Sequence, residues 1–347
     1  MVFHGRMMRG SFVLTFWLGL AAGSAGARDA VPPAPLAAGD HDLAIESGGR
    51  TRHYLVHVPP GDRPAGGRPV VLSFHGGGGS GSAQQRMSGL DRVADTEGFI
   101  VAYPDGTGRM ERHLLTWNAG PCCGYAREHD VDDVAFTLAL LEDLGQRVPV
   151  DATRVYATGM SNGAMLAYRL AAAAPDRIAA IAPVAGALAL PELTLPEPVP
   201  VMHFHSLDDP RALYAGGLGP PFPFTEVRVE HPAVEPVIAQ WRRADGCPED
   251  PTIGPIAHGA PGTPDAEHTA TRVVYGPCTG GAEVVLWRLT GAGHVWPGGP
   301  AMWFQRWLGA PTQVVDASAE MARFFRRFTR PARPGAKPVV SAPSRSR

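Results

Sequence analysis

The sequence predicts an α/β protein: a mostly parallel central sheet with helices on both faces. Three observations carry this. Apolar runs of strand length, such as RPVVLSFHG (68–76) and RIAAIAPVAG (177–186), mark strands buried on both faces. Stretches with helical apolar spacing lie between such runs. Glycine closes several of the runs where the chain must turn. Strands alternating with helices in this way line up side by side with helices packed over them.

The elements follow in order. HDLAIES (41–47) and RTRHYLVHVP (50–59) alternate and are joined by Gly48-Gly49, which predicts an antiparallel hairpin. RPVVLSFHG is the first buried strand, and a helix is expected over about 84–96. GFIVAYPDG (98–106) is a second buried strand, and 107–129 reads as a loop. DVDDVAFTLALLEDLGQR (130–147) has acids in its first turn and a glycine near its end, so it is a helix. ATRVYATG (152–159) is a strand, and NGAMLAYRLAAAA (162–174) is a helix stopped by Pro175. RIAAIAPVAG, VPVMHFHS (199–206) and AEVVLWRLTG (282–291) are further strands, and DASAEMARFFRRF (316–328) is a closing helix. Residues 207–235 and 248–271 read as loops.

The chain has 347 residues, ample for a large core, and shows no internal repeat or linker between folded halves. It divides into a signal segment at 1–27, one domain at 28–329 and a disordered tail at 330–347. Arg6 and Arg9 precede the apolar run SFVLTFWLGLAA (11–22), and Ala25 and Ala27 form an A-x-A site. The run falls short of the ~20 residues a spanning helix needs. The expectation is a secreted or periplasmic protein with no membrane anchor after cleavage. A net charge of −2 gives no case for nucleic acid as a partner.

The only lysine is Lys337, in the predicted tail. That excludes a phosphate-binding P-loop, a Ser-Lys dyad and Schiff-base chemistry from the folded part. No set of four ligands at zinc spacing is present, and neither a metal nor a cofactor is expected. Four cysteines in an oxidising compartment imply disulfides. Cys247 and Cys278 bracket one loop-rich segment and are the expected pair. Cys122 and Cys123 are adjacent, and either bond each other or bond elsewhere.

The chemistry centres on Gly159-Met160-Ser161-Asn162-Gly163, which fits G-x-S-x-G. A strand runs into Ser161 and a helix leaves it. That is a nucleophile elbow, which lifts the hydroxyl above the end of the sheet. A serine needs a base. His294, in the glycine-rich turn after the last strand, has the right placement. His53, His57, His258 and His268 do not. An acid should follow a strand between the two, and HFHSLDDP (203–210) offers Asp208 and Asp209, which spacing does not separate. The order serine, acid, histidine is that of the α/β-hydrolase fold. An oxyanion hole would take one N–H from Asn162 and another from HGGGG (75–79), with Gly77 the choice and Gly76 the alternative.

The sequence resembles the secreted polyhydroxybutyrate depolymerase and feruloyl esterase group. The residues carrying the likeness are FHGGGG, WNAGPCCG (117–124), VDDVAF (131–136), RVYATGMSNGAMLAYRLA (154–171), HFHSLDDP, QWRRADGC (240–247) and GAGHVWPGG (291–299). The likeness spans roughly 50–328. It implies a serine ester hydrolase acting on small or oligomeric esters, either hydroxyalkanoate or feruloyl and acetyl esters. It places the catalytic aspartate at Asp209, although Ser206 stands where glycine is common and Asp208 adds a second acid. ALYAGG (212–217) resembles the V-P-Y-x-G-G block of the group, with Ala212 and Leu213 replacing Val-Pro; that loop would line the pocket and bring Tyr214 to the substrate. Trp117 is read either as a pocket wall or as a structural residue. An acyltransferase would use the same three residues. A binding-only relative would have lost one of them.

Overall fold

A ten-stranded sheet runs through the molecule, its middle parallel and both margins antiparallel. The computed structural model describes residues 1, 33–222, 226–301 and 305–332. The predicted signal segment, past its first residue, therefore lies outside the described residues, and so does the predicted tail beyond residue 332.

The strands are β1 (Gly39–Ser47), β2 (Arg50–Val58), β3 (Arg68–Phe74), β4 (Ile100–Pro104), β5 (Val150–Met160), β6 (Ala180–Val184) and β7 (Val201–Ser206). A short pair follows, β8 (Gly217–Leu218) and β9 (Glu230–His231), then β10 (Thr252–His258), β11 (Thr269–Tyr275) and β12 (Val284–Thr290). The helices are α1 (Gly81–Ser88), α2 (Leu90–Glu97), α3 (Gly124–Glu128), α4 (Asp133–Arg147), α5 (Asn162–Ala173), α6 (Val234–Ala244), α7 (Gln305–Leu308) and α8 (Ala317–Phe325). The large sheet has the order β1-β2-β4-β3-β5-β6-β7-β12-β11-β10. The strands from β4 to β12 in that order pair in parallel, while β1, β2, β11 and β10 pair antiparallel.

The period of two along each strand splits the core between the sheet's faces. Val70, Leu72 and Phe74 of β3 join one cluster with Phe136 and Leu140 of α4, Leu166 of α5 and Trp241 of α6. Val71 joins the other, with Leu90 of α2 and Phe324 and Phe325 of α8. Helices thus cover both faces.

Four expectations need correction. The helix over 84–96 is two helices, broken at Gly89, which adopts φ 59° and caps α1 with its N–H on Gln85 O. The loop at 107–129 contains the short helix α3. The loop at 248–271 is largely the hairpin β10–β11, at the edge of the sheet. β10 is mostly exposed along its length, so it lacks the alternation that marks a half-buried strand. The loop at 207–235 holds β8 and β9 and leads into α6, whose apolar face of Val237, Ile238 and Trp241 is buried. At the other end, the predicted tail begins on a residue that is anchored. Arg330 donates its backbone N–H to Thr153 O at 2.8 Å and its guanidinium to Ile178 O at 2.9 Å.

Cys247 and Cys278 are paired at disulfide distance, and Cys122 lies against its neighbour Cys123. The Cys247–Cys278 pair ties the end of α6 to the turn before β12. Beside it lies Asp245, fully buried at the C-terminal end of α6. Its Oδ1 accepts Val199 N–H at 3.0 Å, but Oδ2 has no partner among the described residues. Burial raises its pKa to about 7, more than Val199 N–H and Arg330 lower it. Because the folded value exceeds the unfolded one, the folded state holds a proton that the unfolded state releases. Stability is full below about pH 4 and falls as pH rises toward 7. Asp245→Asn is expected to match the wild type near pH 4 and to be more stable by about 1–3 kcal/mol at pH 8. Urea denaturation at the two pH values tests this; equal stability at pH 8 contradicts it.

Candidate active site

The C-terminal ends of the parallel strands meet at one edge, where open α/β sheets bind ligands. Ser161 stands there between β5 and α5 with φ 56° and ψ −120°, a backbone conformation few non-glycine residues adopt. Close neighbours hold it: Ser161 N–H donates to Val184 O at 2.8 Å, and Ser161 O accepts Met165 N–H at 3.0 Å. The glycines are needed for space. A Cβ at Gly163 would lie 2.3 Å from Phe74 O. Sequence reasoning missed Gly186, where a Cβ would lie 2.2 Å from Ser161 O. Its place just after a buried strand was the available signal.

His294 lies beyond β12 and Asp209 beyond β7. His294 Nδ1 is 2.7 Å from Asp209 Oδ2, and both side chains are almost wholly buried. Asp209 Oδ1 accepts the N–H groups of Arg211 at 2.7 Å and Ala212 at 2.9 Å. Burial raises the Asp209 carboxyl pKa, but His294 and the Arg211 N–H outweigh it and hold the carboxyl below its ordinary value. A carboxylate there fixes the Nδ1–H tautomer of His294 and leaves Nε2 as an acceptor.

Asp208 has a different position. It is exposed, and its Oδ2 accepts Gly291 N–H at 2.7 Å. Ser206 Oγ donates to Ala292 O at 2.5 Å and accepts Asp208 N–H at 3.2 Å. Ser206 and Asp208, two of the departures from the pattern of the resembled group, thus link the loop of Asp209 to the loop of His294.

His203 and His205 form a buried hydrogen-bonded chain behind the acid. His205 Nε2–H donates to Ala212 O at 2.7 Å, so its Nδ1 accepts from His203 Nε2 at 3.0 Å. His203 Nδ1 in turn accepts Tyr168 Oη–H at 3.0 Å. Burial lowers both imidazole pKa values, which keeps the rings neutral.

The loop after β3 passes over the elbow. A Cβ at Gly76 would lie 3.5 Å from Ser161 Cβ, and one at Gly77 would lie 3.8 Å from Asn162 Cβ. Gly78 and Gly79 spend their N–H groups on Leu115 O and Gly76 O. Gly77 is exposed at the surface of this loop. Asn162 opens α5, so its backbone N–H has no acceptor within the helix.

Trp117 is completely buried, with its indole N–H on His75 O at 2.9 Å and its ring against Phe74 and His75. No part of its surface is open to a substrate, so of its two readings the structural one fits. Tyr214 is half-buried, its hydroxyl donating to Glu235 Oε1 at 2.5 Å and its ring edge-on to His205.

Asp133, an acid in the first turn of α4, braces the Trp117 loop. It is fully buried, bonds Arg52 Nη2 at 2.8 Å, and accepts Asn118 N–H at 2.7 Å. Asp132, beside it, caps α4 through Ala135 N–H. Removing one partner of a buried ion pair strands the other. Asp133→Ala is therefore expected to destabilise the fold by about 3–5 kcal/mol, and an equilibrium unfolding midpoint close to the wild type would contradict the assignment.

Among the described residues one group could hold a cation, Asp40, His57 and Asp91, with ligand atoms within 4.8 Å of one another. It sits on β1, β2 and α2, and His57 is hydrogen-bonded to Asp40 at 2.6 Å and Asp95 at 2.9 Å.

A doubly covered parallel sheet with an elbow serine at its C-terminal edge defines the class of α/β hydrolases. A solved thermostable esterase has the same fold: TM-score 0.51 at 13% identity, covering 84% of this chain and 63% of that one. Residues 52–239 match the family described as esterase PHB depolymerase. The chain belongs to that family. It is 33% identical over 285 residues to NocK of Nocardia uniformis subsp. tsuyamanensis, an esterase by name, covering 80% of each chain. It is 29% identical over 263 residues to feruloyl esterase B of Piromyces equi, covering 73% of this chain and 44% of the relative. The protein is a carboxylic ester hydrolase. No helix among the described residues is long and apolar enough to cross a membrane.

Proposed function

We propose that the protein is an exported serine esterase in which Ser161, His294 and Asp209 form a catalytic triad. The observation that carries this is the 2.7 Å contact between His294 Nδ1 and Asp209 Oδ2, at the sheet edge that also bears the strained Ser161. His294 Nε2 takes the Ser161 hydroxyl proton as Oγ attacks the ester carbonyl carbon. The oxyanion is held by the N–H groups of Asn162 and Gly77. Collapse breaks the C–O ester bond, and His294 returns the proton to the departing alcohol. Water, deprotonated by His294, then attacks the acyl-enzyme and releases the carboxylic acid and Ser161. The substrates are hydroxyalkanoate oligomers or feruloyl and acetyl esters; the family's description supports the first class and the feruloyl esterase relative the second. Export rests on Arg6, Arg9, the apolar run at 11–22 and the A-x-A site ending at Ala27.

A hydrolysis panel tests the reading: p-nitrophenyl esters of several chain lengths, methyl ferulate, acetylated xylan and 3-hydroxybutyrate oligomers. Hydrolysis of at least one natural-type ester is expected, with free acid as the product. No cleavage of any of them, or acid appearing only as a new ester when an alcohol is added, would contradict it.

A further inference from the structure

We propose that Trp117 and His75 are positioning residues that aim the oxyanion-binding N–H groups, and that the Asn162 side chain locks this device to the nucleophile elbow. The proposal rests on the serine esterase reading. A trans peptide unit is planar, and its C=O and N–H point in opposite directions. Holding a carbonyl oxygen therefore aims the N–H of the next residue. His75 O is held by the Trp117 indole N–H at 2.9 Å, which aims Gly76 N–H. Gly76 O is held by His75 Nδ1 at 2.8 Å and by Gly79 N–H at 2.9 Å, which aims Gly77 N–H.

The clamps are themselves fixed. Gly106 N–H donates to His75 Nε2 at 3.0 Å, so the ring proton sits on Nδ1 and points at Gly76 O. Trp117 N–H donates to Asn162 Oδ1 at 2.7 Å, and Asn162 Nδ2 donates to Trp117 O at 3.0 Å. The residue expected to supply one oxyanion donor through its backbone thus grips, through its side chain, the residue that orients the loop of the other. Trp117 has no exposed surface, and His75 and Asn162 are 1% and 3% exposed, so water does not substitute for these bonds.

The sequence gives the device a reason. Gly76 to Gly79 form a run without side chains, the backbone with the most conformational freedom. If the Gly76–Gly77 peptide turned over, it would aim a carbonyl oxygen where an N–H is needed. A tetrahedral intermediate would then meet repulsion in place of a hydrogen bond.

Trp117→Phe keeps the ring and removes only the indole N–H. In the full chain, kcat for p-nitrophenyl butyrate is expected to fall on the order of 10–100-fold, with KM within about twofold. Affinity for an alkylboronic acid, which mimics the tetrahedral oxyanion, should fall in parallel. Trp241→Phe is the control, because it removes another buried indole hydrogen bond, to Val199 O, in the core; it should lower stability and leave kcat unchanged. His75→Asn, which can offer an N–H near the position of Nδ1, should retain more activity than His75→Leu at equal folded fraction. The proposal is overturned if folded Trp117→Phe keeps wild-type kcat and boronate affinity, or if Trp241→Phe loses kcat equally. It is also overturned if His75→Leu matches His75→Asn. In each of those cases inactivity of Ser161→Ala leaves the serine esterase reading standing, whereas an active Ser161→Ala removes the reading itself.

Discussion

Ser161→Ala is expected to lower kcat by about 10⁴–10⁶-fold, with substrate affinity and fold retained. The size follows from what is removed. Only Oγ is lost, so the oxyanion donors and the pocket remain and supply whatever residual rate survives. The backbone at 161 should not relax, since alanine carries the same Cβ into the φ 56° conformation and the Val184 and Met165 hydrogen bonds involve only the main chain. Stopped-flow hydrolysis of a p-nitrophenyl ester, with circular dichroism as the fold control, measures the effect. A variant within tenfold of the wild type would place the chemistry elsewhere.

Asp209→Asn is expected to cost about 10⁴-fold in kcat, and Asp208→Asn only a few-fold. An asparagine at 209 would either keep the hydrogen bonds from Arg211 and Ala212 through Oδ1 and turn its NH2 donor on His294 Nδ1, or flip to give His294 a neutral acceptor and lose those bonds. The imidazole would then lose the charge that stabilises its protonated form and, in one orientation of the amide, its correct tautomer. At Asp208 the carboxylate accepts the N–H of Gly291, a bond that an asparagine oxygen can replace. Steady-state kinetics on both variants tests the distinction. Equal losses would mean that the two acids share the role.

What the sequence made legible was what depends on local pattern. The parallel strands stood out because burial on both faces demands unbroken apolar runs. Ser161 stood out because an elbow needs glycine on either side, and His294 because it follows the last strand in a glycine-rich turn. The choice between Asp208 and Asp209 needed the family pattern, because both follow β7 and only the path of the backbone turns one inward. The hairpin β10–β11 escaped because an exposed edge strand needs no apolar alternation. Ser206, Gly186 and the pairing of Trp117 with His75 escaped for another reason. Each acts on a residue far along the chain, as Ser206 does on Ala292 and Trp117 on His75, and no periodicity encodes such contacts. Asp133 was visible as a first-turn acid, and that sufficient local explanation hid its bond to Arg52.

Ser161 is expected to become acylated during turnover. Intact-protein and peptide mass spectrometry after brief mixing with a slow-turnover p-nitrophenyl ester tests it most directly. A burst of p-nitrophenol near one equivalent and an acyl adduct on the peptide carrying Ser161 are expected, both lost in Ser161→Ala. Steady turnover with no burst and no adduct, or an adduct that maps to another residue and survives Ser161→Ala, would contradict it.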